Sequence, residues 1–322
     1  MDLLILIAGL TVLLVGGEVL VRGASSLARI LGMPPLIIGM TVLAFGTSAP
    51  ELAVNVGAAW KGQTAITFGN VVGSNIANIG LIIGLTVMIK AMEVHRSIIT
   101  REIPVMLVAT AGTILLGSDW LLKRTPDAID RMDGVLLLGG FAAFLVMTAR
   151  SALRIRQEDL FLRQAQQEQE KQRPVHWSLA LLLLVLGLAG VIQGGDWTVD
   201  GATRIAESLG MSQVVIGLSI VSVGTSLPEL TTSLLAARRG HADMAIGTVV
   251  GSNVFNLLLI LGVSSTIHTV AIPDQGWVDF LVLAAFSAVL LPFAISQRKL
   301  ARIEGLLLFL CYVAYIFLRI AI

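Results

Sequence analysis

The heptapeptide GTSAPEL at residues 46–52 recurs as GTSLPEL at residues 224–230, and these two segments decide the predicted fold. Both lie inside long apolar stretches, where an ionisable side chain is rare. In the first copy Glu51 follows Thr47 by four positions and Ser48 by three, and these spacings place the side chains on one helix face. The sequence therefore predicts a carboxylate and two hydroxyl groups that face one point in apolar surroundings.

A proline precedes the glutamate in both copies. Pro50 and Pro228 have no N–H group, and a proline ring clashes with the carbonyl four residues earlier. The carbonyls of Gly46 and Gly224 are therefore expected to leave the helical hydrogen-bond pattern. A free carbonyl in apolar surroundings needs a partner, and a dehydrated cation is one.

The two segments belong to a longer internal repeat. A shift of 178 residues aligns residues 16–84 with residues 194–262 without a gap, and 30 of the 69 aligned positions are identical. The aligned region contains a second motif, GNVVGSNIAN at residues 69–78 and GTVVGSNVFN at residues 247–256. Such identity exceeds what two unrelated apolar segments share, so we predict two halves with the same structure.

Composition places most of the chain in a lipid bilayer. Of its 322 residues, 56% are hydrophobic and 13% are charged, and the mean hydropathy of +0.87 excludes an ordinary soluble protein. A helix needs about 20 apolar residues to cross a bilayer. We predict ten spans, at approximately residues 2–24, 36–60, 65–89, 102–119, 133–150, 177–199, 213–237, 243–267, 277–296 and 303–321.

Each half contains five predicted spans. Because five is odd, the second half enters the bilayer from the opposite side, and inverted repeats of this kind hold a binding site near the midplane in secondary transporters. The predicted fold class is an all-α membrane protein with ten transmembrane helices in two inverted five-helix repeats. The predicted domains are residues 1–150 (first repeat, motif region 39–84), 151–176 (cytoplasmic linker) and 177–322 (second repeat, motif region 217–262).

The basic residues set the predicted orientation. Sixteen of the 22 lysine and arginine residues fall on one side of the ten spans, and the side with more positive charge faces the cytoplasm. That side includes the polar stretch Ser151 to His176, which is predicted to be helical or loose. Both chain termini are therefore predicted to lie outside the cytoplasm.

The motif side chains offer oxygen atoms. In the second motif Ser74 and Asn78 are four positions apart, as are Ser252 and Asn256. Hard cations such as Na⁺ and Ca²⁺ bind oxygen ligands, whereas zinc and copper favour histidine or cysteine, which do not occur in the motifs. The motifs therefore predict a site for a hard cation.

A structural role is the alternative reading of the same residues, because small residues let helices pack closely and two buried glutamates could pair. An ionisable group in the middle of a span costs about 2.5–3.5 kcal/mol on insertion scales and usually marks an ion or substrate path. Glu51 and Glu229 occupy equivalent repeat positions, which favours ion binding. Glu18 and Asp196 are also equivalent, and we expect a gating or interfacial role for them.

The paired motifs resemble the α-repeats of the sodium/calcium exchanger family in the Ca²⁺/cation antiporter superfamily, and look most like its bacterial inner-membrane calcium/sodium antiporters. In both halves the final asparagine follows the glutamate by 27 positions. The resemblance implies antiport of Ca²⁺ against Na⁺ by alternating access, with spans one and six moving around a four-helix site. It also implies backbone ligands at Ala44 and Ser222 and side-chain ligands at Thr47, Ser48, Glu51, Ser74, Asn78, Thr225, Ser226, Glu229, Ser252 and Asn256.

Residue 256 is an asparagine, whereas the pattern of the well-studied prokaryotic exchangers that the motifs resemble has aspartate there. Two glutamates balance one Ca²⁺, but three Na⁺ would leave the site with a formal charge of +1, which is costly at low dielectric. Stoichiometry and coupling ion therefore stay open. The alternative is H⁺- or K⁺-coupled exchange of Ca²⁺ or another divalent cation.

Other classes of function fit the sequence less well. A channel would need a continuous pore, against which the inverted repeat argues. An intramembrane enzyme would need a nucleophile with its base or a histidine cluster, and ATP use would need a phosphate-binding loop; neither pattern occurs. The sequence has no stripe of basic residues interleaved with aromatic ones, so nucleic acid is not an expected partner. We predict a transporter with no enzymatic activity, resident cofactor or obligate protein partner.

Overall fold

The computed structural model of the chain describes residues 2–118, 127–166, 176–209, 224, 226–273 and 275–321. These residues form helices α1 Asp2–Leu31, α2 Pro35–Thr47, α3 Ala49–Trp60, α4 Thr64–Ile89, α5 Ile98–Leu116, α6 Arg131–Gln166, α7 Trp177–Ser208, α8 Leu227–Arg238, α9 Ala242–Ile267, α10 Gly276–Ile295 and α11 Arg302–Ala321. A short 3₁₀ helix covers Ser296–Arg298. The strands are β1 Met92–Glu93, β2 Ala128–Ile129, β3 Val270–Ala271 and β4 Lys299–Leu300.

The helices are long and apolar enough to form a membrane protein. Within the described residues, seven helices can each cross a bilayer, and α2 with α3 forms an eighth, bent span. This confirms the prediction of an all-α membrane protein. Helices α4, α9 and α11 each begin one residue before their predicted spans, and α10 differs by one residue at each end. The first part of the predicted span 213–237 lies outside the described residues.

Three helices continue well past their predicted ends. Helix α1 ends at Leu31 and α7 at Ser208, because backbone hydrogen bonds need not stop where charged side chains begin. Helix α6 runs on to Gln166, so the first part of the predicted linker 151–176 is helical, and the predicted boundary at residue 150 falls inside this helix.

The predicted interruption at the first motif is present. The axes of α2 and α3 differ by 46°, and the break falls at Ser48, whose φ and ψ are −87° and 4°. Pro50 lies in the first turn of α3, where a missing N–H costs no helical hydrogen bond. Pro228 takes the same position in α8, after Ser226 with φ −93° and ψ 2°. Each proline therefore starts a new helix that carries the motif glutamate.

Helices α4 and α9 form the centre of the molecule. The most apolar 18 residues of α4 and α9 are 78% and 89% buried, against 33% for those of both α1 and α7. Glycines permit this packing: a Cβ atom on Gly251 of α9 would lie 2.6 Å from the carbonyl oxygen of Met40 in α2. The two helices that carry the second motif, here called the GSN motif (residues 69–78 and 247–256), are thus surrounded by the rest of the chain.

Two short antiparallel strand pairs join the halves of the chain. Strand β1, after α4, pairs with β4, before α11, and β2, before α6, pairs with β3, after α9. Under the 178-residue shift Met92 of β1 corresponds to Val270 of β3. The pairs therefore connect equivalent parts of the two halves in a reciprocal way.

Candidate functional site

The two motif glutamates lie at the starts of α3 and α8 and are buried. Glu51 is 4% exposed and Glu229 is 2% exposed. The first turn of a helix favours negative charge, because its N–H groups lack helical partners. In the described part of the chain, Oε2 of each glutamate has no hydrogen-bond partner. Each carboxylate therefore has an oxygen left to bind a cation.

Ser48 connects the two halves at this point. Its hydroxyl group donates to Oε1 of Glu229 at 3.2 Å, and its oxygen lies 3.1 Å from Oγ of Ser252. The three side chains come from the break before α3, from α8 and from α9. This arrangement brings one carboxylate and two hydroxyl groups together from both repeats, whereas the motif spacing predicted a carboxylate and two hydroxyl groups within each half.

Asparagines of both GSN motifs also meet. Nδ2 of Asn78 donates to Oδ1 of Asn253 at 2.9 Å, while Nδ2 of Asn253 lies 3.4 Å from the carbonyl oxygen of Asn75. Oδ1 of Asn256 is buried and has no hydrogen-bond partner among the described residues. The sequence analysis did not identify Asn253 as a site residue. The equivalent asparagine, Asn75, occurs in the first copy of the motif, and this repetition was a signal.

Both GSN motifs lead into π-helical turns, at Asn78–Ile83 and at Phe255–Ile260. Such turns are rare overall and are frequently found at functional sites, although this chain also has them at Gly39–Leu43 and Ile98–Glu102. Helix α8 contacts the π-helical turn of α4, and α3 contacts that of α9. Each glutamate-bearing helix is therefore packed against the asparagine segment of the other half. The sequence did not indicate these turns.

The other candidate ligands are placed as follows. Thr47 is buried, and its hydroxyl group donates to the carbonyl of Leu43 at 3.0 Å. Ser74 and Ser226 are also buried. Thr225, and the backbone position at Ser222, lie outside the described residues. Among the described residues there is no cluster of three or more His, Cys, Asp and Glu side chains that could hold a metal ion, so carboxylate, hydroxyl and amide oxygens together define the candidate site.

A cavity of about 300 Å³ leads to the site between α3 and α7. Its lining includes Glu51 and Val54 on α3, Asn70 on α4, and Asp196 and Asp200 on α7. The side chain of Asp200 is 65% exposed. The cavity therefore links Glu51 with the exterior and carries two carboxylates along one wall.

The chain matches the family model described as sodium/calcium exchanger protein over residues 1–150 and 179–321. It is 31% identical over 340 residues to the sodium/calcium exchanger MaX1 of Methanosarcina acetivorans, covering 98% of this chain and 97% of the relative. It is 37% identical over 272 residues to inner membrane protein YrbG of Escherichia coli, covering 82% of this chain and 79% of the relative.

A solved structure gives the same answer for the fold. The sodium-calcium exchanger NCX_Mj, soaked with zero Na⁺ and Ca²⁺, superposes on this chain with a TM-score of 0.82 at 32% identity, covering 97% of each chain. Another structure of that protein was soaked with 100 mM Na⁺ and 10 mM Sr²⁺. The architecture and the sequence relationship therefore point to one family.

Proposed function

This chain belongs to the sodium/calcium exchanger family, and we propose that it exchanges Ca²⁺ for Na⁺ across the inner (plasma) membrane by alternating access. One observation carries the proposal: Glu51 and Glu229 are buried at equivalent repeat positions, and in the described part of the chain each has an oxygen without a hydrogen-bond partner. A buried carboxylate is costly unless a cation balances it. A transported cation supplies that balance.

The proposed architecture has ten transmembrane helices in two inverted five-helix repeats, residues 1–150 and 177–322, joined by a cytoplasmic linker at 151–176. The ungapped 178-residue shift and the reciprocal strand pairs support it. The charge distribution supports an orientation with both termini outside the cytoplasm. In this orientation the Lys61 end of α3 faces outward and the Arg239 end of α8 faces the cytoplasm.

The proposed ion ligands come from both repeats. Glu51 and Glu229 supply charge, Ser48 and Ser252 supply hydroxyl oxygens, and Asn256 supplies an amide oxygen that has no hydrogen-bond partner among the described residues. Ca²⁺ takes six to eight oxygens at about 2.3–2.6 Å. The full proposed set is Thr47, Ser48, Glu51, Ser74, Asn78, Thr225, Ser226, Glu229, Ser252 and Asn256.

Exchange follows if both ions use the same oxygens. The hydrogen bonds of Ser48 keep Glu229 and Ser252 close together. A bound cation would coordinate these oxygens, so Ca²⁺ and Na⁺ compete for the same negative charge. With two carboxylates the site has a formal charge of −2, which matches one Ca²⁺ or two Na⁺. Antiport then requires only that the change between the two open states is unfavourable while the charged site holds no cation.

Proton coupling is the second candidate, because the partnerless Oε2 atoms of Glu51 and Glu229 could bind protons instead of Na⁺. Uptake of ⁴⁵Ca²⁺ into proteoliposomes, with Na⁺ and H⁺ gradients imposed separately, decides between them. We expect uptake to follow the outward Na⁺ gradient. Uptake driven only by the H⁺ gradient would replace Na⁺ as the coupling ion, and uptake that needs neither gradient would favour a channel.

A further inference from the structure

The two repeats pack differently around an equivalent pair of glycines, Gly17 of α1 and Gly195 of α7. A Cβ atom on Gly17 of α1 would lie 2.7 Å from Cγ2 of Thr231 and 2.8 Å from Cδ1 of Leu235, both on α8. At the equivalent Gly195 of α7, the nearest atoms are 3.8 Å away, on Pro228. A Cβ on Gly57, the equivalent of Leu235, would meet nothing within 4 Å. Helix α1 is therefore packed tightly on α8, whereas α7 stands away from α3.

Exposure of equivalent residues shows the same asymmetry. Val54 of α3 is 49% exposed and lines the cavity that reaches Glu51, whereas its equivalent, Thr232 of α8, is fully buried. The site is thus reached along α3 and covered along α8. Because valine and threonine side chains are nearly the same size, the difference in exposure reflects the arrangement of the helices around them.

An ion pair lies on the covered side. Glu18 of α1 accepts hydrogen bonds from Arg239 at the end of α8, with Nε 2.9 Å from Oε2. The repeat-equivalent residues are Asp196 on α7 and Lys61 at the end of α3. These have the same signs of charge, yet in the part of the chain that the structure describes neither of them forms an ion pair, and Asp196 lines the cavity.

We propose that Glu18–Arg239 and Asp196–Lys61 are alternating gate pairs: the first holds the Arg239 end of the site closed, and the second forms when the Lys61 end closes. In an inverted repeat, exchange of the two halves' conformations produces the oppositely open state. Applied to this chain, that exchange packs Gly195 on α3, buries Val54, exposes Thr232 and brings Asp196 to Lys61. The inference rests on the proposed alternating access.

The character of the closed pair suits a reversible gate. The side chains of Glu18 and Arg239 are 35% and 29% exposed, and partly exposed ion pairs contribute little net stability. The pair can therefore bias the conformation without locking it. On the open side, Asp196 and Asp200 give one wall of the cavity a negative charge that attracts cations. In the proposal this lasts until Lys61 pairs with Asp196.

Thiol accessibility tests the proposal. Reporters Val54→Cys and Thr232→Cys, each in a Cys311→Ser background, are labelled with a membrane-impermeant maleimide from either side, without Ca²⁺ or Na⁺. We expect Glu18→Gln to slow labelling of the first reporter and speed that of the second, each by about two- to fivefold. Asp196→Asn should act in the opposite direction.

The matched control is Arg204→Gln, because the Arg204–Asp200 pair, at 3.6 Å, lies within α7 and cannot distinguish the two states. Labelling rates in this variant should stay unchanged. Arg239→Gln and Lys61→Gln repeat the test from the other partner of each pair, should a first variant fail to fold. Parallel shifts at both reporters, or no shift in folded variants, would overturn the gate pairs. Because no transported ion is present, failure of Ca²⁺ exchange with reciprocal labelling intact would count only against the proposed function.

Discussion

The hydroxyl group of Ser48 donates a hydrogen bond to Oε1 of Glu229 across 3.2 Å, although the two residues are 181 positions apart in the chain. The bond joins the helix break of the first repeat to the first turn of α8 in the second. A hydrogen bond to a charged group contributes about 1.5–3 kcal/mol, more than a neutral one. The candidate site is thus built across the repeat interface rather than within either half, which is where the proposed alternating access needs it.

Replacement of either glutamate by glutamine should abolish divalent-cation exchange. Glu51→Gln and Glu229→Gln each keep the side-chain shape but remove half of the site's formal charge. A site charge of −1 cannot balance Ca²⁺ in a low-dielectric region, so we expect at least a hundredfold loss of ⁴⁵Ca²⁺ exchange, about 3 kcal/mol. Size-exclusion chromatography in detergent checks folding. Near-normal exchange by either folded variant would refute the assigned ion site.

Loss of the Ser48 hydroxyl should weaken Ca²⁺ binding without unfolding the protein. Ser48→Ala removes one proposed oxygen ligand and the contacts with Glu229 and Ser252. We expect the Ca²⁺ concentration for half-maximal exchange to rise by about tenfold or more. Thr248→Ala is the control, since that buried hydroxyl donates only within α9, to the Met244 carbonyl. If both variants lose affinity equally, the effect comes from packing and Ser48 is not a ligand.

Asn253 should act on the site through Asn78. Asn253→Ala removes the acceptor for the Asn78 amide and leaves a buried donor without its partner, at a cost of about 1–3 kcal/mol in the free energy of unfolding. We expect a lower Tm together with weaker Ca²⁺ affinity. Ser265→Ala, which removes a buried hydroxyl group that donates to the Leu261 carbonyl within α9, is the control for loss of a buried polar contact. A Tm loss with unchanged affinity would make Asn253 purely structural.

Topology can be checked at the predicted linker. Gln167→Cys, in a Cys311→Ser background, should react with a membrane-impermeant maleimide only from the cytoplasmic face, because sixteen of 22 basic residues fall on that side. The assay compares whole cells with inside-out vesicles. Modification from outside the cell would reverse the proposed orientation of every span.

Much of the fold follows from hydropathy and periodicity. The bounds of α4, α9 and α10 were predicted to within one residue at each end, because a helix that crosses a bilayer must be apolar along its whole length. The break at Ser48 followed from Pro50. Helix α1 exceeded its prediction to Leu31, since a helix can leave the bilayer without ending.

The relation between the two halves could not be predicted in the same way. Helical spacing places Ser48 beside Glu51, but no local rule indicates its contact with Glu229. The direction of the Asn253 amide depends likewise on a partner in the other repeat. The packing difference between Gly17 and Gly195 could not be predicted from the glycines, which are identical. Their neighbours differ, with Leu235 on α8 against Gly57 on α3, and the distance between the helices depends on the conformation.

The formal charge of the site leads to a prediction about stoichiometry. Asn78 and Asn256 are both amides, so Glu51 and Glu229 are the only carboxylates among the proposed ligands. A charge of −2 balances one Ca²⁺ or two Na⁺, whereas a third Na⁺ would leave an uncompensated charge in a low-dielectric site. We therefore expect fewer than three Na⁺ per Ca²⁺. Transport should also depend less on membrane potential than in a three-for-one exchanger.

Asn256→Asp tests this reasoning, because it adds a third negative charge at a buried oxygen that has no hydrogen-bond partner among the described residues. The variant should favour a third Na⁺ and make exchange more electrogenic, which reversal potentials in proteoliposomes measure directly. Asn78→Asp adds the same charge at the repeat-equivalent position, where the amide already donates to Asn253. Comparison of the two variants separates the effect of the added charge from the effect of its position in the site. If the unmodified protein already exchanges three Na⁺ for one Ca²⁺, helix dipoles and water absorb the imbalance and the argument from formal charge is wrong.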